Sequence, residues 1–202
     1  MASTKKKKNK SIKGTQTEKN LAIAYMAESA AYTRYTFYAG QAEKEEYFPI
    51  QRVFTDTAAN EMRHAKVYFK YLEGGNFPVT LGVDAGVIGT TAENLATAAH
   101  EEEVEGYKLY LSFAKVAEEE GFDDIASHFR AIAEIESRHR ERFLYYLKQV
   151  EEGTVWKRDH EITWQCLVCG YEHKGTEPPA ECPACDHPYK HYIGLDEPEF
   201  LA

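Results

Sequence analysis

Seven polar residues sit where helical stripes call for apolar ones: Glu28, Glu61, His64, Glu102, Glu105, Glu136 and His139. Three pairs among them, Glu61/His64, Glu102/Glu105 and Glu136/His139, are spaced i, i+3. On a helix that spacing puts both side chains on one face. Burying one unpaired carboxylate costs several kcal/mol, and two histidines do not offset five of them. Two metal ions do, and carboxylate oxygen with imidazole suits iron or manganese ahead of zinc. The spacing also repeats. Glu28 precedes Glu61 by 33 residues and Glu102 precedes Glu136 by 34, so each half reads as one Glu on a first helix and Glu-x-x-His on a second. That is the ligand pattern of dimetal carboxylate sites in four-helix bundles, with Glu105 as an extra member. A lone Glu-x-x-His on a Glu-rich helix is ordinarily a solvated face. Two of them, at matched distances and in phase with the apolar stripes, argue for ligands. Glu101 and Glu103, about 100° to either side of Glu102, are expected outside or at the rim. Tyr35 and Tyr110 share the stripes of Glu28 and Glu102, where they either pack the core or hydrogen-bond a ligating carboxylate.

The cysteines make a second cluster. Cys166, Cys169, Cys182 and Cys185 form two C-x-x-C knuckles separated by 12 residues. Four thiolates in that arrangement suit a tetrahedral zinc or a single iron. Paired C-x-x-C motifs in a chain expected in a reducing compartment argue for metal over disulfides. Zinc ribbons that bind nucleic acid need a basic surface, whereas residues 154–202 carry 4 basic against 9 acidic residues. A zinc staple and an electron-carrying iron stay open, and iron gains from the attached dimetal site.

The elements that position these residues follow from periodicity. A helix is expected over about 17–45, and a second from Pro49, in its first turn, to the stop signal Gly74-Gly75. Residues 74–90, with five glycines and Pro78, read as a long connection. A third helix follows Thr91 with Glu93 in its first turn, Gly121 interrupts it, and a fourth ends near Gly153. Four amphipathic helices with one long crossover predict a mainly α, ferritin-like four-helix bundle over 14–153. Residues 154–202 predict a small metal-binding β module, with Trp156 and Trp164 near the linker serving either packing or an interface. Residues 1–13 carry six Lys and no acid and are expected to form a solvated, mobile tail. With 202 residues and a net charge of −9, the chain is not built to coat nucleic acid or an anionic membrane. No apolar run approaches a membrane span, and MASTKKKKNK leads into no apolar stretch, so no secretory signal is expected and the cytoplasm is the expected compartment.

With these motifs in place, the chain resembles the rubrerythrins, a family joining a ferritin-like di-iron domain to a rubredoxin-like iron domain. The resemblance runs from Met26-Ala27-Glu28-Ser29 through Glu61-Met62-Arg63-His64, Glu102-Glu103-Val104-Glu105 and Glu136-Ser137-Arg138-His139 to both cysteine knuckles. It implies that the seven residues ligate two irons and that Glu61 and Glu136 bridge them. It also implies that Glu105 and His64 exchange on one iron as the redox state changes, and that one further iron sits on the four cysteines. The implied activity is that of an oxidoreductase of peroxidase type, reducing hydrogen peroxide to water in defence against oxidative stress. Electrons would reach the four-cysteine iron from an NADH-dependent reductase or a rubredoxin. The implied assembly is a head-to-tail homodimer, with the cysteine module of one subunit beside the di-iron site of the other. The departures are the lysine-rich extension before Ser11, Asp186 where free rubredoxins have Gly after the second knuckle, and a shorter loop between knuckles. The latter two bear on the potential of the four-cysteine iron. Two other classes stay open: a ferritin-like ferroxidase or iron-storage protein, and a non-enzymatic electron-transfer or zinc-stapled structural protein.

Overall fold

The computed structural model describes residues 10–76, 78–80, 82 and 86–198, and within them every side chain except that of Glu105. Helix α1 spans Gln16–Lys44, and Thr15 caps it by accepting from Glu18 N. Helix α2 spans Phe48–Phe69 with Pro49 in its first turn, where a missing N–H costs nothing. It ends before the Gly74-Gly75 stop. The third helix starts at α3, Thr91–Glu101, behind a capping box in which Thr90 and Glu93 satisfy each other's backbone N–H. It is not one uniform helix. A π-helical segment, Glu102–Lys108, separates α3 from α4, Leu109–Glu119. Its wider i→i+5 turns break the α-helical phase that put Glu102 and Glu105 on one face. Helix α5, Asp123–Glu152, opens with two acids favourable to its N-terminal dipole and closes on Gly153 in the left-handed conformation.

Two apolar clusters fill the bundle, one at each end. Leu21, Tyr68, Tyr110, Phe113 and Phe129 belong to the first, and Tyr35, Phe54, Leu95, Phe143 and Tyr146 to the second. Each fully buried side chain of this size contributes about 1.5–3 kcal/mol, so the two clusters can offset the cost of the polar belt held between them. Residues 10–13 are part of this fold and do not behave as a free tail. Ile12 is buried in the first cluster, Ile12 N and Ser11 Oγ both donate to Glu73, and Lys10 Nζ reaches Glu120 O. Ile12 is an apolar residue within a basic run, and burying it is what ties the segment down. The rest of the expected tail, residues 1–9, lies outside the described residues.

The C-terminal module is a three-stranded antiparallel sheet of β1 (Ile162–Cys166), β2 (Glu172–Gly175) and β3 (Tyr192–Gly194), in the order β2-β1-β3. Ile162, Trp164, Cys166, Cys182 and Tyr192 make its core. The module rests on the α1–α2 turn of its own bundle. Trp156 stacks on Tyr47 at 5.5 Å, His191 stacks on Phe48 at 3.8 Å, and Lys190 pairs with Glu46. Both tryptophans are therefore used within one chain, Trp164 in the module core and Trp156 in its docking.

Candidate metal centres

Six of the seven predicted ligands meet between the two apolar clusters. Glu28, on α1, joins Glu61 and His64, on α2, and Glu136, on α5, in one group. Glu61 and Glu136 also join Glu102, at the start of the π segment, and His139, on α5, in a second group. Within each group the ligand atoms lie within 4.8 Å of one another and all are buried. His64 Nδ1 stands 2.9 Å from Glu136 Oε1, 3.0 Å from Glu61 Oε2 and 3.6 Å from Glu28 Oε2. His139 Nδ1 stands 2.7 Å from Glu136 Oε2, 3.0 Å from Glu61 Oε1 and 3.9 Å from Glu102 Oε1. Glu61 and Glu136 are thus shared, one oxygen turned to each imidazole. The seventh residue, Glu105, lies in the π segment, and its side chain is outside the described residues.

The electrostatics show how much positive charge the site demands. Burial, then Glu136, pushes the Glu28 carboxyl well up. Burial, then Glu136 and Glu61, does the same to Glu102. Burial also raises Glu61, but His139 and then His64 outweigh it and hold that carboxylate low. Both imidazoles are raised against the effect of their own burial, His64 chiefly by Glu136 and His139 chiefly by Glu61. Without metal, protons supply the compensating charge, and cations binding here have to displace them.

Residues around the site complete it. Tyr35 donates to Glu102 Oε1 at 2.6 Å, and the Tyr110 hydroxyl faces Glu28, so each tyrosine serves the carboxylate of the opposite stripe. Sequence reasoning missed Tyr68, whose buried hydroxyl has no hydrogen-bond partner among the described residues and whose pKa is raised by burial and then Glu28. Its position one turn after His64 was the available signal. The side-chain amide of Asn60 lies 3.3 Å from His139 Nε2 and steadies that ring. Glu101 corrects the expected outward placement. It is buried and ion-paired with Arg34, because α1 packs against that side of α3 and brings a guanidinium to it. Glu103 lies at the rim with Lys108 and Arg140. Arg34 and Glu101 help to line a cavity of about 20 Å³ that reaches Glu28, Glu61, Glu102 and Glu136, room for about one water-sized molecule.

Gly106 sets the spacing across the site. A Cβ there would stand 2.7 Å from both Cβ and Cγ of Glu136 and 3.2 Å from Glu102 Oε2. Helix propensity alone favours Ala over Gly by about 1 kcal/mol, while overpacking costs about 1–3 kcal/mol. Gly106→Ala should therefore lower the unfolding midpoint of the metal-free chain and weaken metal uptake. A midpoint that rises instead would show that the π segment does not press on Glu136.

In the module, Cys166 Sγ lies 3.7 Å from Cys185 Sγ, Cys169 Sγ lies 3.6 Å from Cys182 Sγ, and all four thiols are free. The knuckles turn alike, with Gly170 at φ 79° and Asp186 at φ 59°. Asp186 therefore takes a left-handed turn that Gly adopts without cost. Burial raises Cys182, yet the Tyr192 hydroxyl and the Ala184 N–H bring it down to about 6. Burial and then Cys169 push Cys185 up to about 12.

Comparison with known proteins agrees with both centres. A family model described as rubrerythrin matches residues 19–92 and 93–168, and one described as rubrerythrin, rubredoxin-like domain, matches 164–193. A rubrerythrin of Porphyromonas gingivalis is 50% identical over 184 residues, covering 91% of this chain and 92% of its own. The chain belongs to the rubrerythrin family. A rubrerythrin of Nitratidesulfovibrio vulgaris is 43% identical over 183 residues, 91% of this chain and 96% of its own. The solved structure of nigerythrin in its fully reduced, all-ferrous state superposes with a TM-score of 0.60 at 29% identity, covering 96% of this chain and 91% of that one.

Rubrerythrins bind a di-iron site and a rubredoxin-like four-cysteine iron, and the residues present fit both. Glu28 Oε1, Glu61 Oε1, both Glu136 oxygens and His139 Nδ1 are buried without an aligned hydrogen-bond partner among the described residues. Leaving such atoms unsatisfied costs about 1–3 kcal/mol each, more when charged, and an oxygen–nitrogen donor set suits iron. The four sulfurs converge as a tetrahedral thiolate site requires.

Proposed function

We propose that this rubrerythrin is a di-iron peroxidase that reduces hydrogen peroxide to water with electrons returned through its four-cysteine centre. The observation that carries the reading is the pair of four-residue groups sharing Glu61 and Glu136 beside a cavity of one small molecule's size. When bound, two ferrous ions supply two electrons at one place, enough to cleave an O–O bond without releasing a radical. Glu61 and Glu136 would hold both ions, Glu28 and His64 one of them, and Glu102 and His139 the other. Glu105, whose side chain lies outside the described residues, would serve the ion that His64 would hold. Asn60 braces His139 through its Nε2. Tyr35 orients Glu102, and Ala27 and Ala31 leave the cavity its room. The apolar clusters above and below exclude bulk water.

The attached four-cysteine module favours peroxidase over ferroxidase, because an iron regenerated by an electron carrier turns over without leaving the site. The electron donor is an NADH-dependent reductase or a rubredoxin. The module sits at the α1–α2 turn, and Glu61 lies thirteen positions along α2 from Phe48, roughly 20 Å along the helix. The bundle is therefore served by the module of a second subunit in a head-to-tail dimer. Anaerobically prepared protein should hold about three irons per chain, two carboxylate-bound and one thiolate-bound. One equivalent of peroxide should oxidise the bundle pair without forming mineral. A native preparation with one zinc and an empty bundle, or iron leaving as mineral, would overturn the reading.

A further inference from the structure

Among the residues that line the cavity at the carboxylate site, the ligands and their tyrosines are buried, and only Ala27, Ala31 and Arg34 are partly exposed. These three fall at i, i+4 and i+7 on one face of α1, so the cavity meets solvent along that helix. Two of them carry a single methyl group. Arg34 is the one long side chain of the mouth, and it crosses to pair with Glu101 at the end of α3. The two side chains are only 14% and 7% exposed. The crossover backs this arm, since a Cβ at Gly86 would stand 3.9 Å from Arg34 Nε. Stability alone does not account for such a pair. Desolvating two charges offsets much of their attraction, and apolar residues of similar volume often do as well or better. Neither Glu101 oxygen has an aligned hydrogen-bond partner among the described residues, so no wider polar network compensates for that desolvation. What the pair does achieve is to hold a long side chain across the opening.

We propose that Arg34, held across the mouth by Glu101, makes the site selective for hydrogen peroxide over organic hydroperoxides. The inference rests on the peroxidase reading and narrows the substrate class of that same site. The chemistry alone does not discriminate. Hydrogen peroxide takes two electrons and two protons, its O–O bond breaks, and two waters leave. An alkyl hydroperoxide takes the same electrons and protons across the same bond and leaves as an alcohol and one water. Access has to make the difference. The cavity, about 20 Å³, has room for about one water-sized molecule, so an alkyl hydroperoxide reaching the carboxylates must leave its alkyl group in the mouth. That is the space the Arg34 side chain occupies. Hydrogen peroxide carries no such group and passes beside the two alanine methyls.

In the iron-loaded full chain, kcat/KM for hydrogen peroxide should exceed that for tert-butyl hydroperoxide by about a hundredfold or more. Arg34→Ala combined with Glu101→Gln removes the arm without leaving an unpaired buried charge. That double variant should cut the ratio about tenfold or more, through a rise in the tert-butyl hydroperoxide value. Ala31→Leu, which narrows the mouth from α1, should lower kcat/KM for hydrogen peroxide about tenfold at unchanged iron content. A binding measurement needs no turnover: azide should perturb the optical bands of the oxidised bundle iron in the parent and the double variant alike, and benzoate only in the double variant. A parent chain that reduces both hydroperoxides equally well overturns the proposal. So does a double variant, at full iron content, whose ratio or benzoate response stays at the parent's. Should the double variant fail to hold iron, Ala31→Leu decides, and an unchanged hydrogen peroxide value there overturns the proposal. A parent chain that reduces neither hydroperoxide would instead overturn the peroxidase reading, and the benzoate titration would still decide whether Arg34 closes the mouth.

Discussion

Glu136→Ala is expected to abolish peroxide reduction and to empty both halves of the bundle site. One oxygen of Glu136 stands 2.9 Å from His64 Nδ1 and the other 2.7 Å from His139 Nδ1, so this side chain belongs to both ligand groups. Removing it would take a candidate donor from each of the two groups at once. It also opens a void against Gly106, whose missing Cβ is what lets Glu136 sit there. Outer-shell partners of metal ligands typically cost about 10–100-fold when lost, so the loss of a shared ligand should exceed about a hundredfold. Glu61→Ala should behave the same way, because Glu61 is the other shared residue. His64→Ala should be milder, since His64 belongs to one group and Glu105 is its proposed substitute on that ion. Iron content per chain and initial peroxidase rate, measured together, separate lost metal from lost chemistry. A dead His64→Ala beside a fully active Glu136→Ala would reverse the assignment of roles.

The candidate ligands stand out in the sequence because a charge on an apolar stripe is expensive enough to require an explanation. Glu28, Glu61, His64, Glu102, Glu136 and His139 all met that test, and all six come together. The knuckles are legible for a related reason, since thiolates that share one ion must be close in sequence or be brought close by tight turns. What was not legible depends on neighbours far along the chain. The π segment at Glu102–Lys108 has no propensity signature of its own, and it is accommodated where Gly106 lies against Glu136 on another helix. Glu101 lies off the core stripe by phase alone, and only the arrival of Arg34 from α1 makes its burial tolerable. Tyr68 looks like any aromatic residue on a stripe, since periodicity cannot separate a ring that packs from a hydroxyl that faces carboxylates. Ile12 is held by Glu73, 61 residues away.

Two inactive variants, Cys182→Ala and Glu136→Ala, should restore activity to one another when their subunits exchange. The first keeps its bundle ligands and lacks a working electron carrier, and the second keeps the carrier and lacks the site. In a single chain the carrier is tied to the far end of its own bundle by the Trp156–Tyr47 and His191–Phe48 stacks and by Lys190–Glu46. Electron transfer through protein falls steeply with distance, so a separation of roughly 20 Å along α2 would leave the chain's own site poorly served. A head-to-tail dimer removes that separation by bringing the module of one subunit to the carboxylate site of the other. In a mixed dimer one site then combines an intact carrier with an intact ligand set, and the other site lacks both. Random exchange within a closed two-fold dimer predicts recovery of about a quarter of the parent activity. Mass spectrometry of the exchanged mixture supplies the fraction of mixed dimers needed to interpret the rate. Recovery that grows with that fraction supports transfer between subunits, whereas mixed dimers with no activity would mean that each chain reduces its own site.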